Sequence, residues 1–191
     1  DVTPTVTPAP TVTPIVTSAN EEMVEIIDAG FDELYKKSDY VIIGTLTKSL
    51  GEWNQARKKD GSLFKDIFMM EKQYTIEVTE VLKGKDVKVK DNITLSLPYR
   101  DKFQGDADYT MRTFQEPPLN QSMLFFLNKD DSVTGTIVYY PENEPHSFLI
   151  KDNKLFTFGN SADLAKSFAK GDGASDKGIS LPAAKKEIGV K

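Results

Sequence analysis

The chain has 191 residues, 39% hydrophobic and 28% charged, which is enough for one domain of ordinary size with tails. It contains no cysteine, which excludes thiol nucleophiles, disulfides and cysteine-based zinc sites. Its net charge of −5 suits neither nucleic acid nor an anionic membrane, because both require a basic surface. No run of about 18 apolar residues is present, so the sequence predicts no membrane-spanning segment.

Residues 1–19 form a low-complexity segment in which Thr-Pro recurs at positions 3–4, 7–8 and 13–14. Proline favours the extended polyproline II conformation, which predicts a spacer about 55 Å long. Such segments look like the linkers of secreted and wall-attached bacterial proteins, although an inert tail is the alternative. We therefore divide the chain into three parts. They are this spacer, residues 20–170 as a β-barrel domain that begins with a helix, and residues 171–191 as a flexible link that ends in a short helix.

Hydrophobic periodicity predicts the first elements of the domain. Apolar residues at helical spacing predict a helix over 20–37. The run Tyr40-Val-Ile-Ile predicts a strand over 39–48 that is buried on both faces at its start. Gly44 within this strand indicates a bulge or a bend. The polar residues 49–66 favour a loop or an irregular strand.

The clearest pattern in the chain is a long hairpin over residues 73–97. Apolar and polar residues alternate from Tyr74 onwards, and the same alternation runs from Val87 to Leu97. Between them, Lys83-Gly84-Lys85-Asp86 has the composition of a tight turn. Two strands cannot bury their apolar face alone, so the rest of the chain must provide a second layer or close a barrel.

The second half of the chain alternates short elements with turns. The segment 98–120 is long and poorly patterned, and loops of this length in compact domains are usually functional or mobile. The remaining predicted elements are strands over 122–127 and 135–140, a hairpin of 147–150 with 154–158, and short helices over 161–170 and 181–188.

Several of these strands resemble those of netrin-like domains, the group that includes the tissue inhibitors of metalloproteinases and related bacterial domains. The similarity lies in Ser38-Asp-Tyr-Val-Ile-Ile-Gly-Thr-Leu, Tyr74-Thr-Ile-Glu-Val-Thr-Glu-Val-Leu-Lys-Gly-Lys, Ser122-Met-Leu-Phe-Phe-Leu and Lys151-Asp-Asn-Lys-Leu. It covers about residues 38–158 and implies a mainly β fold, an OB-like five-stranded barrel. An N-terminal helix and short C-terminal helices complete the predicted architecture.

The resemblance transfers no functional residue. Animal members are rich in disulfides and inhibit through an N-terminal cysteine that chelates zinc, whereas this chain has no cysteine and begins with a Thr/Pro segment. The single histidine, His146, is not accompanied by a nucleophile-elbow motif, and no phosphate loop is present. We therefore predict a non-enzymatic protein without a cofactor or a metal site.

The predicted function is a binding or interaction domain of a bacterial surface protein or lipoprotein, extracellular and attached to the cell envelope of a Gram-positive host. Its partner would be a protein or a glycan at the cell surface. Aromatic rings and arginine side chains dominate such recognition, which selects Trp53, Tyr99, Arg100, Tyr109 and Arg112 as ligand-binding candidates. The alternatives are an inhibitor or regulator of a secreted peptidase, and a structural spacer domain in which Tyr99 and Tyr109 only pack the long loop.

Overall fold

The computed structural model describes residues 30–102, 109–110, 116–141, 147–157 and 178–190, and the fold is mainly β. Two helices lie within these ranges, α1 (Gly30–Lys37) and α2 (Leu181–Glu187). The strands are β1 (Tyr40–Asn54), β2 (Phe68–Lys83), β3 (Asn92–Lys102), β4 (Tyr109–Thr110), β5 (Ser122–Asp130), β6 (Val138–Pro141), β7 (Ser147–Lys151), β8 (Lys154–Thr157) and β9 (Ile179–Ser180).

Five strands form a closed ring in the order β1, β2, β3, β6 and β5. Neighbours in the ring are antiparallel except β3 and β6, which pair in parallel at Leu95 and Tyr139. The ring closes because β5 also pairs with the first half of β1, from Tyr40 with Leu127 to Thr45 with Ser122. The sequence prediction of a mainly β fold is therefore confirmed.

Side chains of alternate strand residues fill the inside of the ring. Tyr74, Ile76 and Val78 of β2 are buried there, as the alternation in the sequence predicts. The other members of this inner core include Ile42, Leu46, Leu95, Met123, Phe125 and Leu127. The ring therefore encloses a packed hydrophobic interior.

A second core lies on the outer face of β1 and β5. Val41 and Ile43 project there while Ile42 projects inward, which confirms the predicted burial of both faces of β1. Helices α1 and α2 cover this face together with β7 and β8; the buried residues include Phe31, Leu34, Leu124, Phe126, Phe148, Leu155, Ala184 and Ile188. Helix α2 is the predicted C-terminal helix, and the Ser180 hydroxyl accepts a bond from the Ala183 N–H at its start.

The connection between β2 and β3 is longer than predicted. Strand β3 begins at Asn92, not at Val87, because Lys90 adopts a left-handed conformation (φ 73°) that interrupts the extended chain. The Lys90 N–H donates to the Val78 carbonyl, and the Val78 N–H donates to the Asp91 carbonyl. As a result Val87 is buried whereas Val89 is 53% exposed, although the alternation placed both on one face.

Other predicted boundaries also differ from the structure. Of the two alternatives for residues 49–66, an irregular strand describes 49–54, because β1 continues through Asn54 with a register shift between Ser49 and Gly51. Residues 55–67 are a loop, which we call the β1–β2 loop. The register of β1 on β2 shifts at Gly44, which confirms the predicted bulge. The hairpin of β7 and β8 is confirmed, with Asp152 and Asn153 both left-handed at its turn.

Beyond the ring, three strands continue as a sheet. The pairing of β1 with β5 ends at Thr45, and the described contact of β3 with β6 is at Leu95. There β2 lies between the other two strands: it remains paired with residues 47–54 of β1 on one side, and its residues 68–73 pair with 96–102 of β3 on the other. Strand β4 pairs with β3. We call this region the sheet extension.

Some predicted features lie outside the described residues. They are the spacer over 1–19, the first part of the predicted helix over 20–37, His146, the helix over 161–170 and nearly all of the link over 171–178. In the part of the chain that the structure describes, no helix is long and apolar enough to cross a bilayer.

Candidate functional site

The inner face of the sheet extension carries a cluster of aromatic and charged side chains. Lys72 follows the same alternation as Tyr74, so both project towards the inside of the ring. Lys72 Nζ lies 5.5 Å from the centre of the Tyr99 ring. Glu116, which precedes β5, accepts hydrogen bonds from Lys72 Nζ and from the Tyr74 hydroxyl. We call Lys72, Tyr74, Tyr99 and Glu116 the inner cluster.

Hydrogen bonds from Lys72 and Tyr74 stabilise the negative charge of Glu116 in the inner cluster. The hydrogen bonds from Lys72 and Tyr74 lower the pKa of the Glu116 carboxyl, so it is ionised near neutral pH. Burial, together with the Glu116 charge, raises the pKa of Tyr74, which therefore remains a hydrogen-bond donor. The Glu116 side chain is 60% exposed, so the carboxylate that Lys72 and Tyr74 hold in place also faces solvent.

The opposite end of the ring is closed by a different network. The Tyr40 and Tyr139 rings meet edge to face with centres 5.1 Å apart. The Tyr40 hydroxyl donates to Asp86 Oδ1 at 2.5 Å, and Lys129 Nζ donates to Asp86 Oδ2 at 3.1 Å. These contacts close the ring interior with its own side chains.

Trp53 lies on the other face of the sheet extension. It pairs in register with Glu71, whose side chain projects away from the ring. The Arg57 guanidinium stacks on the Trp53 ring, 4.0 Å from its centre, and the indole N–H donates to Gln55 Oε1 at 3.2 Å. One face of this indole is therefore covered by the chain itself.

A buried carboxylate occupies the same outer face. Glu71 is 7% exposed and accepts a hydrogen bond from the Ser96 hydroxyl, which in turn accepts one from Gln73 Nε2 at 3.3 Å. Gln55 of the β1–β2 loop donates to the Asp130 carboxylate at the end of β5, so the loop crosses this face.

The environment of Glu71 favours its neutral form. Burial, aided by the nearby Asp130 charge, raises the pKa of the Glu71 carboxyl to about 7, although the Ser96 hydrogen bond opposes this effect. A carboxyl group with a pKa near 7 suits acid–base chemistry, but Ser96 is fully buried and Glu71 nearly so. Because neither group is open to a substrate, we assign Glu71 a structural role.

The structure therefore separates the predicted ligand-binding residues. Tyr99 is on the inner face and Trp53 is on the outer face of the sheet extension. The backbone of Arg100 pairs with Met70 of β2 and with Thr110 of β4, and the backbone of Tyr109 pairs with Asp101. Arg112 lies outside the described residues.

Lys72, Glu116 and Glu71 are not among the ligand-binding residues predicted from the sequence. The position of Lys72 follows from extending the alternation of β2 upstream from Tyr74. Neither Glu116 nor the burial of Glu71 has a local signal, because both depend on segments distant in the sequence. Among the described residues there is no group of three or more His, Cys, Asp or Glu side chains arranged to hold a metal ion.

Comparisons of the chain with protein-family models, with curated proteins and with solved structures found no match.

Proposed function

We propose that this chain is a non-enzymatic binding domain, extracellular and tethered to a bacterial cell envelope as part of a surface protein or lipoprotein. We further propose that the ring of five strands is an OB-like barrel of the netrin-like type. The number of strands in the closed ring and the motifs around Ser38, Tyr74 and Ser122 support this proposal. The Thr/Pro segment over 1–19 is the proposed spacer to the envelope.

The inner cluster is the observation that supports the proposed binding role. OB-type barrels bind ligands on a face formed by their second and third strands and in the adjoining loops. Here the inner cluster combines an aromatic ring with a cation and a fixed carboxylate on those strands and beside them. Such a combination suits a glycan or a peptide, because each offers hydroxyl or amide groups beside apolar surface.

Affinity capture with matched variants tests this assignment. The whole chain, immobilised, is exposed to secreted proteins and to isolated wall glycans of a Gram-positive bacterium. We expect Tyr99→Ala to weaken retention of the bound component by about tenfold, because it removes the aromatic surface of the inner cluster. Trp53→Ala is the control, because it removes an aromatic residue from the opposite face. Equal retention by the two variants would contradict the assignment.

The identity of the captured component distinguishes the alternative functions. A secreted peptidase that loses activity on capture would favour the regulator of a peptidase. Its mechanism would differ from that of the animal inhibitors, since this chain has no cysteine to chelate zinc. If nothing is retained, the structural spacer domain becomes the better proposal and Tyr99 is a packing residue.

A further inference from the structure

The β1–β2 loop exposes two large apolar residues next to each other. Leu63 is 52% exposed and Phe64 is 44% exposed, although the domain has two well-packed cores. Exposed apolar residues that occur singly need no explanation, but an adjacent pair in one loop forms a local apolar surface.

Leu63 and Phe64 are exposed although the backbone around them is hydrogen-bonded. Arg57 and Leu63 form an antiparallel bridge, and the Phe64 N–H donates to the Ala56 carbonyl at 3.1 Å. Arg57 also donates through its guanidinium to the carbonyls of Asn54 and Gly61, each at 2.9 Å. These hydrogen bonds fix the backbone on either side of Leu63 and Phe64, and both side chains are exposed.

The tip of the loop is also fixed. The Lys58 N–H donates to the Ser62 carbonyl at 2.8 Å, and the Asp60 carboxylate accepts bonds from the N–H and the hydroxyl of Ser62. The Thr134 N–H donates to the Lys59 carbonyl at 2.9 Å, which anchors the tip to the connection between β5 and β6.

The loop is basic in an acidic protein. Residues 55–67 contain Arg57, Lys58, Lys59 and Lys65 against Asp60 and Asp66, a formal charge of +2, whereas the whole chain has −5. The three lysines are exposed, and within the described residues none of them forms an ion pair. Hydrogen bonds from Ser62, and to a smaller extent the Lys58 charge, lower the pKa of the Asp60 carboxyl, so the Lys58 charge is partly balanced within the loop. The net positive charge of the loop is available to an external partner.

We propose that the β1–β2 loop docks on the surface of an anionic lipid bilayer. Leu63 and Phe64 would enter the boundary between the headgroups and the acyl chains, while Lys58, Lys59 and Lys65 contact lipid phosphates. The surface charge that matters is local, because electrostatic attraction decays over about 8 Å at physiological ionic strength. The acidity of the whole chain therefore does not prevent this loop from facing an anionic membrane.

A lipid surface fits these observations better than other polyanions or a protein partner. A nucleic acid or a soluble acidic polymer would use the lysines but would leave the exposed Leu63 and Phe64 unexplained. A stable protein interface buries about 800 Å² on each partner, far more than two side chains provide. A bilayer surface offers anionic headgroups beside apolar acyl chains. The flanking lysines match the headgroups, and Leu63 and Phe64 match the acyl chains.

Co-sedimentation with lipid vesicles tests the proposal. The whole chain is mixed with vesicles of phosphatidylcholine alone, or of equal parts phosphatidylcholine and phosphatidylglycerol. We expect binding only to the anionic vesicles, and a loss of binding when the salt concentration is raised from about 0.05 M to about 0.5 M. Lys58→Glu/Lys59→Glu and Leu63→Ser/Phe64→Ser are each expected to reduce the bound fraction at least about tenfold.

Lys88→Glu/Val89→Ser is the matched control, because it changes an exposed lysine and an exposed apolar residue in the connection between β2 and β3. It should bind like the unmodified chain, and thermal unfolding of all variants checks that they are folded. Equal binding by the control and both loop variants would overturn the proposal. So would binding to soluble polyphosphate without binding to vesicles, which would indicate a polyanion partner instead.

Discussion

Glu71 shows how one residue can be buried at the expense of stability. Its carboxyl group lies among Ser96, Gln73 and the nearby Asp130, and no described cation forms an ion pair with it. The pKa of this carboxyl rises from its ordinary value of 4.5 to about 7 in the folded protein. Between these two pH values the folded state binds a proton that the unfolded state has released, so stability falls as the pH rises from 4.5 through 7.

Glu71→Gln should therefore change the pH dependence of stability. The glutamine keeps the size and the acceptor for Ser96 but carries no charge to bury. A difference of 2.5 between the two pKa values of Glu71 corresponds to about 3 kcal/mol above pH 7. We expect the variant to be more stable than the unmodified chain by about 1 to 3 kcal/mol at pH 8, and nearly equal at pH 4.5. Urea unfolding at the two pH values measures this, and a difference that does not depend on pH would show that Glu71 is not the titrating group.

At the scale of single residues, the sequence identifies side chains but not their surroundings. Trp53 and Tyr99 are both aromatic residues in weakly patterned segments, yet one stacks with Arg57 and the other lies beside Lys72. The pairing of Trp53 with Glu71 places them on different faces, and this pairing depends on bulges that composition does not reveal. The candidate site could therefore be predicted only in part.

Among the elements, β1 depends on a glycine for its pairing with β2. A Cβ atom at Gly44 would lie 2.5 Å from Ile76 Cγ2 and 2.8 Å from the Glu77 carbonyl oxygen. The second contact is with backbone, which cannot move aside without disturbing the pairing of β1 with β2. The bulge at Gly44 thus brings the two strands closer than any other residue would permit.

Gly44→Ala is expected to destabilise the protein by about 2 to 3 kcal/mol, because the new methyl group overpacks a buried site. Gly135→Ala is the control, since its surroundings are empty within 4 Å and only its φ of 78° opposes a side chain. The control should cost about 1 kcal/mol. Chemical denaturation measures both values, and an equal cost would mean that the strands accommodate the methyl group at Gly44 without the expected overpacking.

The elements themselves were predicted well where one rule decides them. Alternation determines the burial of β2, and the turn residues Asp152 and Asn153 determine the hairpin of β7 and β8. The start of β3 was predicted wrongly because Val87 and Val89 continue the alternation, whereas Lys90 and the bonds to Val78 end the extended chain there. These bonds join residues on two strands, so no local pattern contains them.

In the whole molecule, the two ends of the described chain meet in the second core. The Phe31 N–H at the start of α1 donates to Glu187 Oε1 of α2 at 3.0 Å. Ala184 and Ile188 are buried against the same face, and Lys185 Nζ lies 2.6 Å from Glu80 Oε2 of β2. The C-terminal helix is therefore part of the packed body and completes the cover over β1 and β5.

Deleting residues 181–191 should accordingly lower stability by about 3 kcal/mol or more, since it uncovers Phe31 and Leu34. Deleting residues 1–18 is the control, and we expect an almost unchanged melting temperature because the spacer proposed for this segment would bury little surface. Thermal unfolding of both truncated chains measures the effects. A large decrease on removing residues 1–18 would show that this segment docks on the domain.

The closure of the ring also determines when the protein can fold. Tyr40 pairs with Leu127 and Leu95 with Tyr139, so the strands that close the ring are far apart in the sequence. Such a high contact order slows folding, because the entropy of two long loops is lost before their contacts form. During synthesis, the edges of β1 and β3 that close the ring stay unpaired until β5 and β6 have emerged. Sealing of the interior is thus a late, concerted event, and the waiting hairpins are the stage most exposed to aggregation.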